Sequence, residues 1–241
     1  MDEYKIPQVI PEHPEMTCQT FVLPQGNVDV WALSLDRIVG ETDWNILESS
    51  ERARANRFRK ETDRDRFVVC RSALRRILGN YVDRAPERLV FEYGKHGKPF
   101  LDRERLHFNV SHADGKCLIV ATDAAPVGVD LEQETRVLSV RELAKAVCSP
   151  SEHAQILDLP AADQRLALLR IWVAKEAFLK ALGEGLSTRL LVVIDTNQLP
   201  VRFIDPIPGF VSALSLSPSP KHSEPMPRNV KSANAVLKTQ R

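Results

Sequence analysis

Arg170-Ile-Trp-Val-Ala-Lys-Glu-Ala-Phe-Leu-Lys-Ala-Leu-Gly-Glu-Gly-Leu186 is the stretch on which the fold turns. At 100° per residue, Leu166, Leu169, Trp172, Val173 and Ala177 form one apolar flank of a helix. Ile171, Phe178 and Leu182 form a second on roughly the opposite side. Asp163 is the expected cap and Gly183 the stop. A helix apolar nearly all round is a buried helix, yet Glu176 projects between Trp172 and Val173, with Lys180 beside it. A carboxylate on a buried face needs a cation to be tolerable. From the helix alone two readings stay open. One is a Glu-to-Lys surface pair at i,i+4, worth about 0.2–0.5 kcal/mol. The other is a functional carboxylate with a lysine at hand.

Upstream, Val127-Gly-Val-Asp-Leu-Glu132 reads as a strand. Its side chains alternate, so Val127, Val129 and Leu131 point one way and Gly128, Asp130 and Glu132 the other. Two carboxylates at i,i+2 lie roughly 7 Å apart at their Cα atoms, close enough to share a cation. Solvated carboxylates on an edge strand are the plain alternative. Cys117–Ala121 is a buried strand expected to pair with Val127–Glu132 across a turn at Asp123–Pro126. Leu106–His112 is a further strand, ending in Ser111-His112. Val28–Asp36 alternates, with Val28, Val30 and Ala32 on one face and Trp31, Leu33 and Leu35 on the other. Residues 1–27 read as an extended lead-in, and a short helix through Leu47 would be capped at Thr42 or Asp43.

Between Ser49 and Leu78 the chain turns basic, and Phe67, Cys70, Leu74, Ile77 and Leu78 take helical spacing, with an end near Gly79. Arginine suits phosphate through its bidentate fork, but for this stretch alone the interleaved acids favour a salt-bridged solvent face. The same acids, with no interleaved aromatics, argue against a nucleic-acid stripe. Leu89–Tyr93 is a short strand, and Gly94–Phe100 is a loop carrying two lysines. Helices are expected over Ser139–Val147 and from a Ser149 cap with Pro150 at the first position. Leu190–Ile194, Val201–Ile204 and Phe210–Leu216 read as three strands of a terminal sheet. The Ser- and Pro-rich run from Ser217 is expected to be disordered.

Whole-chain properties exclude several classes. The 241 residues are 43% hydrophobic and 27% charged, with 33 Lys plus Arg against 32 Asp plus Glu, a net charge of +1. That balance calls for neither nucleic acid nor an anionic membrane surface. No apolar run is long enough for a membrane span. The 4 cysteines lack metal-ligand spacing, and no secretory signal accompanies them. A soluble, cytoplasmic protein is the expectation. No P-loop, dinucleotide fingerprint or kinase loop set is present, and no histidine spacing suits zinc. Three hard carboxylates, Asp130, Glu132 and Glu176, suit Mg2+, which completes its shell with water and phosphate oxygens.

At this point the residues resemble a family. Phe108-Asn-Val-Ser-His112, Val127–Glu132 and Trp172-Val-Ala-Lys-Glu-Ala-Phe-Leu-Lys180 resemble, in order and spacing, the three motifs of the surfactin-synthetase-activating (Sfp) type of 4′-phosphopantetheinyl transferase. Gly97-Lys-Pro-Phe100 resembles that family's Gly-Lys-Pro loop, and Arg57 to Arg75 its first-domain helix. The resemblance implies an α+β pseudo-dimer of two similar half-domains, each a small antiparallel sheet packed with helices, with the active site between them. It divides the chain into residues 1–123, contacting the nucleotide, and 124–216, carrying metal ligands and the catalytic helix, followed by a tail over 217–241.

The implied reaction moves phosphopantetheine from coenzyme A to a serine of an apo acyl or peptidyl carrier protein and releases adenosine 3′,5′-bisphosphate. Asp130, Glu132 and Glu176 would bind Mg2+, with Mn2+ as a substitute. Glu176 would be the general base. Lys180 and His112 would hold the pyrophosphate, and Lys98 and Ser111 the nucleotide side, with Lys175 nearby. Arg54, or Arg66, Arg52 or Arg57, would face the 3′-phosphate. A monomer suffices, because the pseudo-dimer supplies both walls of the cleft. A non-catalytic coenzyme A- or carrier-binding module and a Mg2+-dependent phosphohydrolase are the competing accounts.

Overall fold

The computed structural model describes residues 16–102, 104–136, 139–184 and 192–217. The elements, in chain order, are β1 (Thr17–Leu23), β2 (Gly26–Ser34), α1 (Glu41–Asn45), α2 (Ser49–Ala55), α3 (Glu61–Tyr81), β3 (Phe91–Tyr93), β4 (Pro99–Leu101), β5 (His107–Ala113), β6 (Lys116–Thr122), β7 (Val127–Gln133), α4 (Val140–Val147), α5 (Pro150–Asp158), α6 (Ala161–Leu182), β8 (Val201–Ile204) and β9 (Phe210–Leu216).

Alternation along the strands sets the layers. Trp31 and Leu33 of β2, and Leu35 just after it, turn toward α3, where they meet Val69, Ala73, Leu74, Ile77 and Leu78. Val28, Val30 and Ala32 turn the other way and pack on Val127, Val129, Leu131 and Leu214. Two antiparallel sheets therefore lie face to face. One has the order β1-β2-β6-β5 and the other β7-β9-β8. The long helix α3 covers the outer face of the first, and α6 that of the second, through Leu169, Val173 and Ala177 against Val211 and Ala213. The opposite flank of α6, with Leu168, Ile171 and Leu179, packs on α4 and α5. This is the α+β arrangement of two half-domains, each a small antiparallel sheet backed by a long helix.

Several expectations are corrected. Thr17–Leu23 is a strand, not lead-in. It pairs with β2 at the sheet edge, where mixed exposure hides its alternation. Pro99–Leu101 leaves the Gly94–Phe100 loop to pair with β3. β6 and β7 form no hairpin: β6 pairs with β2 and β5, whereas β7 pairs with β9. The turn before β7 instead carries the chain from one sheet to the next. α3 passes Gly79 and ends at Tyr81, whose hydroxyl donates to buried Asp29 and accepts from Trp31 Nε1 (3.2 Å). α6 starts behind Pro160 rather than at Asp163. Of Leu190–Ile194, Leu190 and Leu191 lie outside the described residues, and Val192 and Val193 are helical rather than extended. All of the expected tail beyond Ser217 also lies outside them.

Candidate active site

The site forms where the free edge of β7, strand β5 and helix α6 converge. Gly128 permits the convergence. A Cβ there would collide with Ala177 O and Ala181 N and lie 2.9 Å from Lys180 C. Glycine alone lets α6 lie this close to β7, so the carboxylate two residues on meets the last turns of the helix. Gly183, in the left-handed region at φ 73°, then ends α6, its N–H returning to Leu179 O and Lys180 O.

On the helix-facing side of β7, Asp130 is 5% exposed and Glu176 of α6 is also 5% exposed. Lys180 reaches across to Asp130 rather than back one turn to Glu176. Its Nζ donates to Asp130 Oδ1 (2.6 Å) and to Ser111 Oγ (3.2 Å), and Ser111 Oγ donates to Asp130 Oδ1 (2.9 Å). Two carboxylate oxygens, Asp130 Oδ2 and Glu176 Oε1, are buried without a hydrogen-bond partner. Such atoms are costly unless something cationic or proton-bearing reaches them. Burial first, and the Asp130 charge second, push Glu176 up to about 7.

Glu132 shares the face but is engaged elsewhere. Its Oε1 accepts from Arg136 Nη1 and from Trp172 Nε1 (3.2 Å). Among the described residues no set of three His, Cys, Asp or Glu side chains is arranged around one metal position. Asp130 and Glu176 converge, and Glu132 stands aside.

The other expected residues are distributed around this cluster and beyond it. His112 follows Ser111 on β5, opposite Cys117 in register, and burial, then the charges of Lys180, Arg54 and Arg66, lower its pKa, which favours the neutral ring. Arg54 lies over the Phe67 ring at 5.1 Å. Arg66 is held bidentately by Asp36, at 2.6 and 3.1 Å. Arg52 is bound to backbone carbonyls of Leu47 and Asn45, and Arg57 to that of Ala53. Lys98 is a strap between the half-domains, its Nζ donating to Val127 O (2.8 Å) and Lys180 O (2.6 Å), and burial lowers it to about 8. A cavity of about 150 Å3 beside it is lined by Lys98, Pro99, Phe100, His107, Phe108 and Gly183. A larger groove of about 650 Å3 runs between Leu35–Val39 and Glu61–Arg66 and reaches none of the three carboxylates.

Lys175 is not brought to the cluster. Its ammonium is buried against Glu152 Oε2 (2.5 Å) and Val147 O (2.7 Å), tying α6 to the start of α5. Sequence reasoning also missed Asn109, whose Oδ1 accepts from Val129 N (3.0 Å) and binds β5 to the free edge of β7. An amide between Phe108 and Val110, in mid-strand, was the available signal.

Two family models match the chain. One, described as the 4′-phosphopantetheinyl transferase superfamily, covers residues 126–219. The other, the N-terminal region of a 4′-phosphopantetheinyl transferase, covers residues 40–124. The slr0495 protein of Synechocystis sp. is 37% identical over 181 residues, 74% of this chain and 73% of its own. HetI of Nostoc sp., a 4′-phosphopantetheinyl transferase, is 34% identical over 74% of this chain and 76% of its own. The chain belongs to the 4′-phosphopantetheinyl transferase superfamily. The 4′-phosphopantetheinyl transferase Sfp of Bacillus subtilis is 27% identical over 67% of this chain, in keeping with the type suggested by the third motif. Members of this family take coenzyme A as substrate and act on carrier proteins. No helix among the described residues is long and apolar enough to cross a membrane.

Proposed function

We propose that this transferase carries the phosphopantetheine of coenzyme A to a serine hydroxyl of an apo acyl or peptidyl carrier protein. Adenosine 3′,5′-bisphosphate is the leaving product, and a divalent cation takes part. The observation that supports this reading best is the pair of orphaned buried oxygens, Asp130 Oδ2 and Glu176 Oε1, beside Lys180. Mg2+ asks for one or two carboxylates and fills its shell with water and phosphate oxygens, and this donor pair fits that demand. Asp130 and Glu176 would hold the cation, with Glu132 joining only on leaving Arg136; Mn2+ has the same ligand preference. Bound there, the cation would neutralise pyrophosphate charge and polarise its oxygens.

The chain's own groups do the rest. Glu176, held near pKa 7 by burial, is poised to take the carrier serine proton. Lys180, and His112 as a neutral donor, steady the bridging pyrophosphate and the charge that grows on the leaving phosphate. Ser111 and the Lys98 cavity receive the nucleotide side, and Arg54 and Arg66 face its 3′-phosphate. The half-domains divide at Asp123 and Ala124, each giving one wall, so a single cytoplasmic chain suffices. A pure binding module has no use for two carboxylates that each leave a buried oxygen without a partner.

The test incubates the protein with coenzyme A, Mg2+ and an apo acyl or peptidyl carrier protein, tracking the carrier's intact mass. A gain of one phosphopantetheine, lost on chelation, is expected. Release of adenosine bisphosphate with the carrier unchanged would replace the reading with a phosphohydrolase.

A further inference from the structure

Beside the strand that bears His112, on β6 and on the helix packed over the sheet, lie two nucleophilic side chains that the transfer chemistry leaves unused. Cys70 on α3 and Cys117 on β6 bring their sulfurs to 3.7 Å. Cys117 stands opposite His112 in the β5–β6 register. The surroundings hold this approach from several sides. Val69, Ala73 and Leu74 seat α3 on the sheet beside Ile119, and Arg66, one turn before Cys70, is clamped to Asp36 against Gly115 at the start of β6.

The two thiols are unequal in the way a reactive and a resolving cysteine are unequal. Cys70 is half-buried, whereas Cys117 is 0% exposed. The Arg71 guanidinium favours the Cys70 thiolate, and burial raises the Cys117 thiol. Among the described residues the other two cysteines have no sulfur partner, and burial raises them, Cys18 to about 12 and Cys148 to about 11. Thiolate character and access decide which sulfur an oxidant meets first. A second thiol within reach decides whether the oxidised sulfur ends in a disulfide.

We propose that Cys70 and Cys117 are a thiol–disulfide pair, joined inside the fold by a peroxide-class oxidant. The Cys70 thiolate attacks one peroxide oxygen, the O–O bond breaks, and the other oxygen leaves as water after taking a proton. Cys70 becomes a sulfenic acid. The Cys117 sulfur, giving up its proton, attacks the Cys70 sulfur, and the hydroxyl leaves as a second water. Two electrons pass from the two sulfurs to one peroxide, so two thiols and one peroxide give one disulfide and two waters. The sulfurs must close from 3.7 Å to about 2.05 Å. That distance is within a side-chain rotation and a small slide of α3 over the sheet.

The test uses the full chain and dilute hydrogen peroxide, then denaturation, alkylation and intact-mass analysis, with circular dichroism verifying that the fold persists. Alkylation of two rather than four cysteines, a linked peptide pair containing Cys70 and Cys117, and reversal by dithiothreitol are expected. Cys117→Ser should leave a dimedone-reactive Cys70, and Cys70→Ser should leave every remaining thiol alkylatable. Overoxidation of Cys70 with Cys117 still alkylatable, first reaction at Cys18 or Cys148, or a bond only between chains would overturn the proposal.

Discussion

In the proposed transfer, Glu176 is the residue whose environment matters most. It is 5% exposed, one of its oxygens has no hydrogen-bond partner, and its carboxyl sits at about 7 against an ordinary 4.5. A carboxyl raised in the folded state stabilises the fold while it stays protonated. That contribution is whole below about pH 4.5 and is lost as pH rises through 7. The metal-free protein is therefore expected to lose up to about 3 kcal/mol across that window. Glu176→Gln should flatten the profile and raise the melting temperature at pH 8 more than at pH 5, while lowering carrier loading at least about 100-fold. Parallel melting curves for the two proteins at both pH values would contradict the assigned environment. The i,i+4 spacing suggested that Lys180 serves Glu176. The structure gives Lys180 to Asp130 instead, because Gly128 draws β7 under the last turns of α6. Spacing along a helix cannot report a partner on another element.

Among the elements, α6 is held from two sides, and each hold makes a prediction. Gly128→Ala puts a methyl into the helix backbone at Ala177 and Ala181. An overpacked contact of this kind costs about 1–3 kcal/mol. It should also lower loading beyond what the loss of folded protein explains, because it moves Glu176 and Lys180 away from Asp130. On the far side, Lys175 and Glu152 form a buried ion pair. Lys175→Met leaves the Glu152 carboxylate, still bonded to Ser149 N and Thr196, without its counter-charge, and is expected to cost about 3 kcal/mol by urea denaturation, with much of this recovered on adding Glu152→Gln. A loss below about 1 kcal/mol would mean that the pair is solvated in solution. α6 was legible from its apolar flanks because a buried helix carries its burial in its composition. The edge strand β1 and the β4 segment were not, since half-exposed strands show little alternation.

Across the whole molecule, the decisive feature is how the two half-domains meet. Alternation in β2 and β7 foretold which side chains turn inward, but not that β6 and β7 lie in different sheets packed face to face. Alternation specifies a strand's faces and leaves open whether its neighbour is reached by backbone pairing or by side-chain packing. At the seam, Asn109 caps Val129 N, and Lys98 ties Val127 O to Lys180 O. Asn109→Ala should cost about 1–3 kcal/mol, as for an unsatisfied buried donor, with unfolding still in one transition. Separate transitions would show that the seam contributes less than the two cores. The proposal that a two-carboxylate site on that seam performs the transfer is tested most directly by loading an apo carrier protein with coenzyme A and Mg2+. The comparison is between the unmodified enzyme and an Asp130→Ala, Glu176→Gln double variant whose fold is verified by circular dichroism. A carrier heavier by one phosphopantetheine is expected with the former and an unchanged carrier with the latter; full loading by the folded double variant would contradict the proposal.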